Sequence, residues 1–176
     1  MRGKRRPERI ILIGFMGTGK THWARRLARR LKWTAFDCDS EIEKKEKRSI
    51  VAIFGEAGEA YFRKKETTIL RRALGLKKAV IATGGGAVLS KSNRRLIKEK
   101  GLSVWLKTPP ALVWKRVGAD RKRPLLAVAD PRLEIRRLLK KRSPLYRTAA
   151  DEVVRTGGSK TVSNMTRILK KYGLIA

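Results

Sequence analysis

Short apolar runs alternate with longer segments of helical periodicity along the chain. The runs lie at residues 9–14, 34–37, 79–83, 102–106 and 151–154. Their length and β-branched content are typical of strands buried in a parallel sheet. The segments between them predict helices at residues 20–32, 40–47, 50–74, 91–100, 109–117, 131–146 and 161–172. This alternation predicts a three-layer α/β fold, with helices on both faces of a five-stranded parallel sheet.

The turn after the first strand has the composition of a phosphate-binding loop. GFMGTGKT at residues 14–21 matches G-x-x-x-x-G-K-[ST] at every fixed position, between a predicted strand and a predicted helix. Glycines let backbone N–H groups curl around phosphate oxygens, and the helix directs its positive end at the same charge. Lys20 can reach the β- and γ-phosphates, and Thr21 can offer its hydroxyl to Mg²⁺. The loop therefore predicts a nucleoside triphosphate site.

Length and composition agree with a single domain over residues 1–176. The chain is 41% hydrophobic and 34% charged, and it is long enough to bury a core. Cys38 is the single cysteine, which excludes an intrachain disulfide and suits a reducing cytosol. No apolar stretch approaches the roughly 20 residues that span a bilayer. We expect a cytoplasmic monomer without a membrane partner, with a basic flexible tail at residues 1–8 and a core at residues 9–172.

The charge of the chain is strongly one-sided. Lysine and arginine number 45 against 15 aspartates and glutamates, a formal net charge of +30. Such a field attracts nucleotides, acidic metabolites and nucleic acids alike, so charge alone does not identify a partner. Residues 1–32 contain eleven basic residues and one acidic residue, Glu8. We expect the tail and the first helix to bind polyanions non-specifically at low salt, without a specific nucleic-acid partner.

Two carboxylates follow the second strand in the sequence Asp37-Cys38-Asp39. Alternate residues at a strand end can both approach the phosphate loop. One carboxylate could order the waters of Mg²⁺, and the other could bind or deprotonate a hydroxyl group. Acidic residues at this position also commonly cap the next helix, and the sequence leaves both interpretations open.

Glycines and arginines suggest where an acceptor would bind. Three glycines after the third strand, at residues 84–86, permit close approach of the backbone to a ligand, although a plain turn is the alternative. Arg123 lies in the irregular basic segment 118–130, which could act as a mobile lid over the phosphates. Arg147 ends SPLYR, and a fixed arginine suits bidentate binding of a carboxylate. Any single arginine is weak evidence in a chain with 45 basic residues.

Taken together, these segments resemble the shikimate kinase family. In chain order the elements are GFMGTGKT at 14–21, FDCD at 36–39, RSIVAIFGEAGEAYFRKKE at 48–66, TGGGAV at 83–88, RPLL at 123–126 and SPLYR at 143–147. Their order and rough spacing agree with that family from about residue 9 to residue 172. The combination is far more specific than any one element.

The resemblance implies the fold of nucleoside monophosphate kinases, with strand order 2-3-1-4-5. It implies transfer of the γ-phosphoryl group of ATP to the 3-hydroxyl of shikimate with Mg²⁺ as cofactor, a step of chorismate and aromatic amino acid biosynthesis. By position it assigns ATP to Gly17, Thr18, Gly19, Lys20, Thr21, His22, Arg116 and Arg123. It assigns Mg²⁺ to Thr21 and Asp37, and shikimate to Asp39, Arg63, Gly84, Gly85, Gly86 and Arg147. The catalytic residues would be Lys20, Asp39 and Arg123, and residues 155–160 should border the adenine.

Three alternatives compete with this interpretation. A kinase for another small polyol acid, such as gluconate, is disfavoured by Arg63, the three glycines and SPLYR. A basic nucleic-acid-binding protein with a vestigial kinase site is disfavoured because every proposed catalytic position is filled. The aromatic content of the chain is only 6%, which is too low for the interleaved base-stacking side chains of such a protein. A P-loop switch would need segments ordered by the γ-phosphate and a partner surface, which the sequence does not reveal.

Overall fold

Five parallel strands form one sheet in the computed structural model, which describes residues 6–118 and 124–176. The strands are β1 (Arg9–Ile13), β2 (Thr34–Asp37), β3 (Ala79–Ala82), β4 (Leu102–Lys107) and β5 (Glu152–Arg155). Their order is β2-β3-β1-β4-β5. The predicted parallel sheet and its 2-3-1-4-5 order are therefore confirmed.

Helices cover both faces of the sheet. They are α1 (Lys20–Leu31), α2 (Cys38–Glu46), α3 (Ile50–Ala73), α4 (Lys91–Lys100), α5 (Pro110–Val117), α6 (Pro131–Ala149) and α7 (Lys160–Lys171). Short 3-10 turns lie at Ala87–Leu89 and Pro124–Leu126. Neither turn was predicted from the sequence.

Alternation along the central strand divides the core into two clusters. Ile11 and Ile13 of β1 pack on one face with apolar side chains of α2 to α6. Ile10 and Leu12 pack on the other face with the apolar sides of α1 and α7. All four isoleucine and leucine side chains are at most 1% exposed, as expected for a strand covered by helices on both sides. The predicted three-layer architecture is confirmed.

Three neighbouring strands, β1, β2 and β3, end within one residue of one another at the carboxyl edge of the sheet. Ala82 of β3 lies opposite both Leu12 of β1 and Asp37 of β2. Beyond β3, the hydroxyl of Thr83 donates to the carbonyl of Leu12 at 3.1 Å and ties the next turn to the central strand. The phosphate loop, the Asp37–Asp39 segment and the three glycines are thereby brought side by side.

Three helices, α2, α3 and α6, differ from the predicted ones in a boundary or in an internal bend. The carboxylate of Asp37 accepts the N–H of Ser40 at 3.1 Å, so α2 begins at Cys38 rather than at residue 40. The helix predicted at 50–74 is interrupted at Gly58, which has φ 79° and ψ 168°, and it continues through Gly55. α6 contains Pro144 and extends to Ala149, three residues beyond the predicted end.

Parts of the predicted tail and lid fall on residues that the structure does not describe. Arg6, in the predicted tail, donates to the carbonyl of Leu174 at 3.2 Å. The lid predicted at 118–130 is described for Gly118 and for 124–130, and Arg123 lies outside the described residues. Across 6–118 and 124–176, no helix is both long enough and apolar enough to cross a membrane.

Candidate active site

A cleft of about 790 Å³ opens at the carboxyl edge of the sheet, beside the phosphate loop. Its polar lining includes Lys20, Thr21, Asp37, Asp39, Arg63, Glu66, Thr83 and Arg142. Its apolar lining includes Met16, Ile50, Val51, Phe54, Phe62 and Leu125. The cleft therefore joins a phosphate-binding loop to a pocket that combines arginines, carboxylates and apolar side chains.

The phosphate loop has the backbone conformation that its glycines predict. Gly17 and Gly19 have φ values of 72° and 86°, which L side chains rarely adopt. Lys20 is buried and folds over the loop, where its ammonium donates to the carbonyls of Gly14 and Phe15 at 2.9 and 2.8 Å. The ammonium is thus held within the cradle at the N-terminus of α1, where phosphate anions bind most favourably.

Thr21 and Asp37 form the polar edge of the loop. The hydroxyl of Thr21 donates to Asp37 Oδ2 at 2.5 Å, and the same carboxylate caps α2 through Oδ1. Asp37 therefore serves the helix cap and also faces the phosphate loop, so the two interpretations left open by the sequence are compatible. Among the residues described, no cluster of three or more His, Cys, Asp and Glu side chains could hold a metal. A hydroxyl and a nearby carboxylate suit Mg²⁺, which keeps several waters and binds substrate phosphates.

The three glycines leave room for charged side chains of the cleft. A Cβ atom on Gly84 would lie 2.2 Å from Glu66 Oε1 and 2.8 Å from Asp39 Oδ1. A Cβ atom on Gly86 would lie 2.0 Å from Arg63 Nη1. The absence of side chains at Gly84 and Gly86 allows two carboxylates and an arginine to approach the turn.

Arg63 is oriented by two carboxylates of its own helix. Its guanidinium bonds to Glu66 at 2.8 Å and to Glu59 at 2.8 and 3.1 Å. Glu66 is 1% exposed, and burial raises the pKa of its carboxyl above the ordinary value, against the opposing effect of Arg63. Glu66 was not among the predicted site residues, although its position three residues after Arg63 on a helix places the two side chains together.

Arg142, not Arg147, is the arginine that α6 contributes to the cleft. Arg142 is 3% exposed, donates to the carbonyl of Gly85 at 3.3 Å and lies over the ring of Phe15. Arg147 is exposed and does not line the cleft. The structure thus places the predicted residue Arg147 outside the cleft, because Arg142 and Tyr146 share the buried face of the helix and Arg147 follows on another face.

Tyr146 donates to the same backbone carbonyl as Arg142. Its hydroxyl donates to the carbonyl of Gly85 at 2.5 Å, and its ring stacks on Trp105 with centroids 5.7 Å apart. Burial raises the pKa of this phenol, so it remains a neutral donor. One carbonyl thus accepts from both Arg142 and Tyr146, which fixes α6 against the turn after β3.

A second cavity of about 670 Å³ lies on the other side of the phosphate loop. It is lined by Gly17, Thr18, His22, Arg116 and residues 156–159, among others. Arg116 donates to the carbonyl of Gly17 at 2.9 Å. The sequence-predicted residues His22 and Arg116, and most of the segment 155–160, are brought together here at the end of the loop away from Arg63.

Comparison with known proteins gives a consistent picture. The family model for shikimate kinase matches residues 16–172. A shikimate kinase of Ruegeria pomeroyi is 44% identical over 156 residues, covering 89% of this chain and 80% of its relative.

Solved structures agree with this result. The shikimate kinase from Acinetobacter baumannii in complex with shikimate is 40% identical, with a TM-score of 0.89 over 96% of this chain and 93% of its own. A gluconokinase from Sinorhizobium meliloti has a TM-score of 0.54 and is 12% identical, over 95% of this chain and 96% of its own. The likeness to the gluconokinase extends to the fold alone.

Proposed function

Because the chain belongs to the shikimate kinase family, we propose that it transfers the γ-phosphoryl group of ATP to the 3-hydroxyl of shikimate. The observation that carries the proposal is one cleft that joins the phosphate loop to Asp39, Arg63 and Arg142. Shikimate is a small polyhydroxy acid. Two arginines match its carboxylate, a carboxylate matches its hydroxyls, and the apolar wall that includes Phe54 matches its ring.

ATP binding is assigned to the phosphate loop and the second cavity. The backbone of residues 17–19 and the ammonium of Lys20 would hold the β- and γ-phosphates. The nucleoside would then extend along Arg116 towards residues 156–159, since these border the same loop. His22 lines that cavity as well, which supports its assignment to the nucleotide side rather than to the acceptor.

Mg²⁺ would be held by the Thr21 hydroxyl and, through water, by Asp37. The ion would neutralise charge on the phosphates during transfer. The 2.5 Å bond between Thr21 and Asp37 supports this assignment, because it aligns both oxygens at the start of α1. The Thr21 hydroxyl can keep this hydrogen bond while a lone pair of its oxygen faces the cation.

Shikimate would lie between α3, α6 and the turn after β3. Arg63 and Arg142 would bind the carboxylate, and the backbone of Gly85 would border it. Asp39, in the first turn of α2, would accept hydrogen bonds from the ring hydroxyls and align the 3-hydroxyl with the γ-phosphorus. Transfer forms the new P–O bond as the bond to ADP breaks, and the hydroxyl proton passes to Asp39.

Arg123 belongs to the same proposal. In the sequence it directly precedes Pro124 and Leu125, which line the cleft. An arginine there would stabilise the phosphoryl group in transfer and help exclude water. We expect Arg123→Gln to lower kcat while KM for shikimate changes little.

Release of ADP from Mg·ATP tests the proposal, with shikimate, gluconate or no acceptor present. We expect turnover that depends on shikimate and is at least about a hundredfold lower in Asp39→Asn, within the range for general acid–base and positioning groups. Turnover with gluconate instead would overturn the acceptor assignment. Equal ADP release with and without either acceptor would overturn the phosphotransferase assignment.

A further inference from the structure

Helices α1 and α7 lie side by side on one face of the sheet and present a strongly basic surface. Arg30 of α1 donates to the hydroxyl of Thr166 on α7 at 3.3 Å, which joins the two helices. We define the basic layer as the outward side chains of Arg25, Arg26, Arg29, Arg30, Arg167 and Lys170, all of which are exposed. None of these residues lines either of the two cavities assigned to substrates.

The basic layer has no carboxylates to balance it. Neither α1 nor α7 contains an aspartate or glutamate. Within 6–118 and 124–176, no side chain of the basic layer forms an ion pair. On the same side, Lys171 of α7 lies outside the basic layer and pairs with Glu152. On the opposite layer, glutamates pair with basic side chains in Arg72–Glu41, Arg95–Glu99 and Arg137–Glu134. The net charge of +30 is therefore distributed unevenly over the surface.

The spacing of these charges opposes helix stability. Arg25 and Arg29, and likewise Arg26 and Arg30, are four residues apart on α1, where like charges repel. The two arginines in the last turn benefit from the helix dipole, whereas Arg25 and Arg26 lie too far from the C-terminus to do so. A polyanion bound along the helix would relieve this repulsion.

We propose that the basic layer binds the phosphate backbone of a nucleic acid double helix. α1 has 12 residues and spans about 18 Å, with side chains four residues apart separated by about 6 Å. A duplex presents one negative charge per about 1.7 Å of its axis, so several arginines can each meet a phosphate. Contacts limited to phosphates carry no base sequence information.

The surface fits a duplex better than other polyanions. Single strands are bound by exposed aromatic side chains, but on α1 Trp23 is 8% exposed. The exposed ring of His22 lines the second cavity and does not lie among the side chains of the basic layer. Membrane-surface helices insert large apolar side chains. On α1 and α7, the one large apolar side chain that is exposed is Val162, at 41%.

Binding of the full chain to a short DNA duplex, measured against salt concentration, tests the proposal. The test variant carries Arg25→Gln, Arg26→Gln, Arg29→Gln and Arg30→Gln. The control variant carries Arg71→Gln, Arg132→Gln, Arg136→Gln and Lys140→Gln, which are exposed on the opposite layer. Both variants lose the same charge. Thermal unfolding and shikimate-dependent ADP release at high salt check that each is folded.

The slope of log K against log salt separates contacts from net charge. Each phosphate contact contributes about −0.9 to the slope. We expect the test variant to have a slope shallower by about 3 to 4 and the control to keep the slope of the parent. An equal decrease of the slope in both variants would overturn the proposal, because net charge alone would then explain the binding of DNA. Tighter binding to a single strand, or to phosphatidylglycerol vesicles, would overturn the choice of partner.

Discussion

Replacement of Arg142 by methionine removes a buried charge while keeping most of the side-chain volume. Arg142 is 3% exposed and points into the cleft from α6, whereas Arg147 is exposed on another face of the same helix. If Arg142 binds the carboxylate of shikimate, its loss weakens shikimate binding and leaves ATP binding intact. The matched control is Arg147→Ala.

The expected magnitude follows from the burial of the pair. Loss of one partner of a buried, hydrogen-bonded charge pair costs about 2–5 kcal/mol. Arg63 would still hold the carboxylate, so we expect the lower part of this range, about 2–3 kcal/mol. At about 1.4 kcal/mol per tenfold, this corresponds to a loss of roughly 30- to 150-fold in kcat/KM for shikimate. Arg147→Ala should stay within about 0.5 kcal/mol, or roughly twofold.

Steady-state kinetics with each substrate varied in turn measure these effects. We expect the loss in Arg142→Met to lie mainly in KM for shikimate, with KM for ATP within about twofold of the parent, as for a change that does not reach the nucleotide. Arg142→Lys should fall between the parent and the methionine variant, since it keeps the charge but not the planar fork. Unchanged kinetics in Arg142→Met together with a large loss in Arg147→Ala would refute this reasoning.

Three further predictions concern the glycines, the metal site and pH. Gly86→Ala would place a Cβ 2.0 Å from Arg63 Nη1, so the guanidinium must move. We expect KM for shikimate to rise about tenfold or more with little change in Tm. An unchanged KM would contradict the proposed contact between Arg63 and shikimate. Asp37→Asn can still cap α2 but should raise the Mg²⁺ concentration for half-maximal activity, whereas an unchanged requirement would remove Asp37 from the metal site. Hydrogen bonds from Lys65, then Tyr61, lower the pKa of Glu46 from 4.5 to about 2. The stability that Glu46 contributes is thus present above pH 4.5 and is lost as the pH falls towards 2. In denaturant titrations, Glu46→Gln should have a lower free energy of unfolding than the parent at pH 7, and the difference should disappear between pH 4.5 and 2. A difference that stays constant with pH would contradict this prediction.

The sheet and the phosphate loop could be predicted because local sequence decides them. Apolar runs bounded by glycine define β1 and β3, and GFMGTGKT requires a strand before it and a helix after it. The strand order came from the family resemblance rather than from the runs themselves. The two roles of Asp37 could not be ranked from sequence, because a cap and a loop contact use different oxygens of one carboxylate.

The acceptor side was harder to predict because it depends on which face of a helix points inward. Arg142 and Arg147 both flank the same short motif. The buried positions of α6 include Ile135, Leu138, Arg142 and Tyr146, which follow one another at intervals of three or four residues. That periodicity places Arg142 on the inner face, and it could have been read from the sequence. Pairing between Arg63 and Glu66 also follows helical spacing, but the burial of Glu66 depends on its contact with the turn at Gly84.

Identification of the phosphorylated product tests the central claim most directly. The chain is incubated with Mg·ATP and shikimate, and the product is analysed by phosphorus and proton NMR alongside the amount of ADP formed. We predict one phosphate ester per ADP, with the phosphorus coupled to the proton on carbon 3 of the shikimate ring. A phosphorus signal coupled to another ring position, or inorganic phosphate as the sole product, would contradict the assignment of the acceptor site.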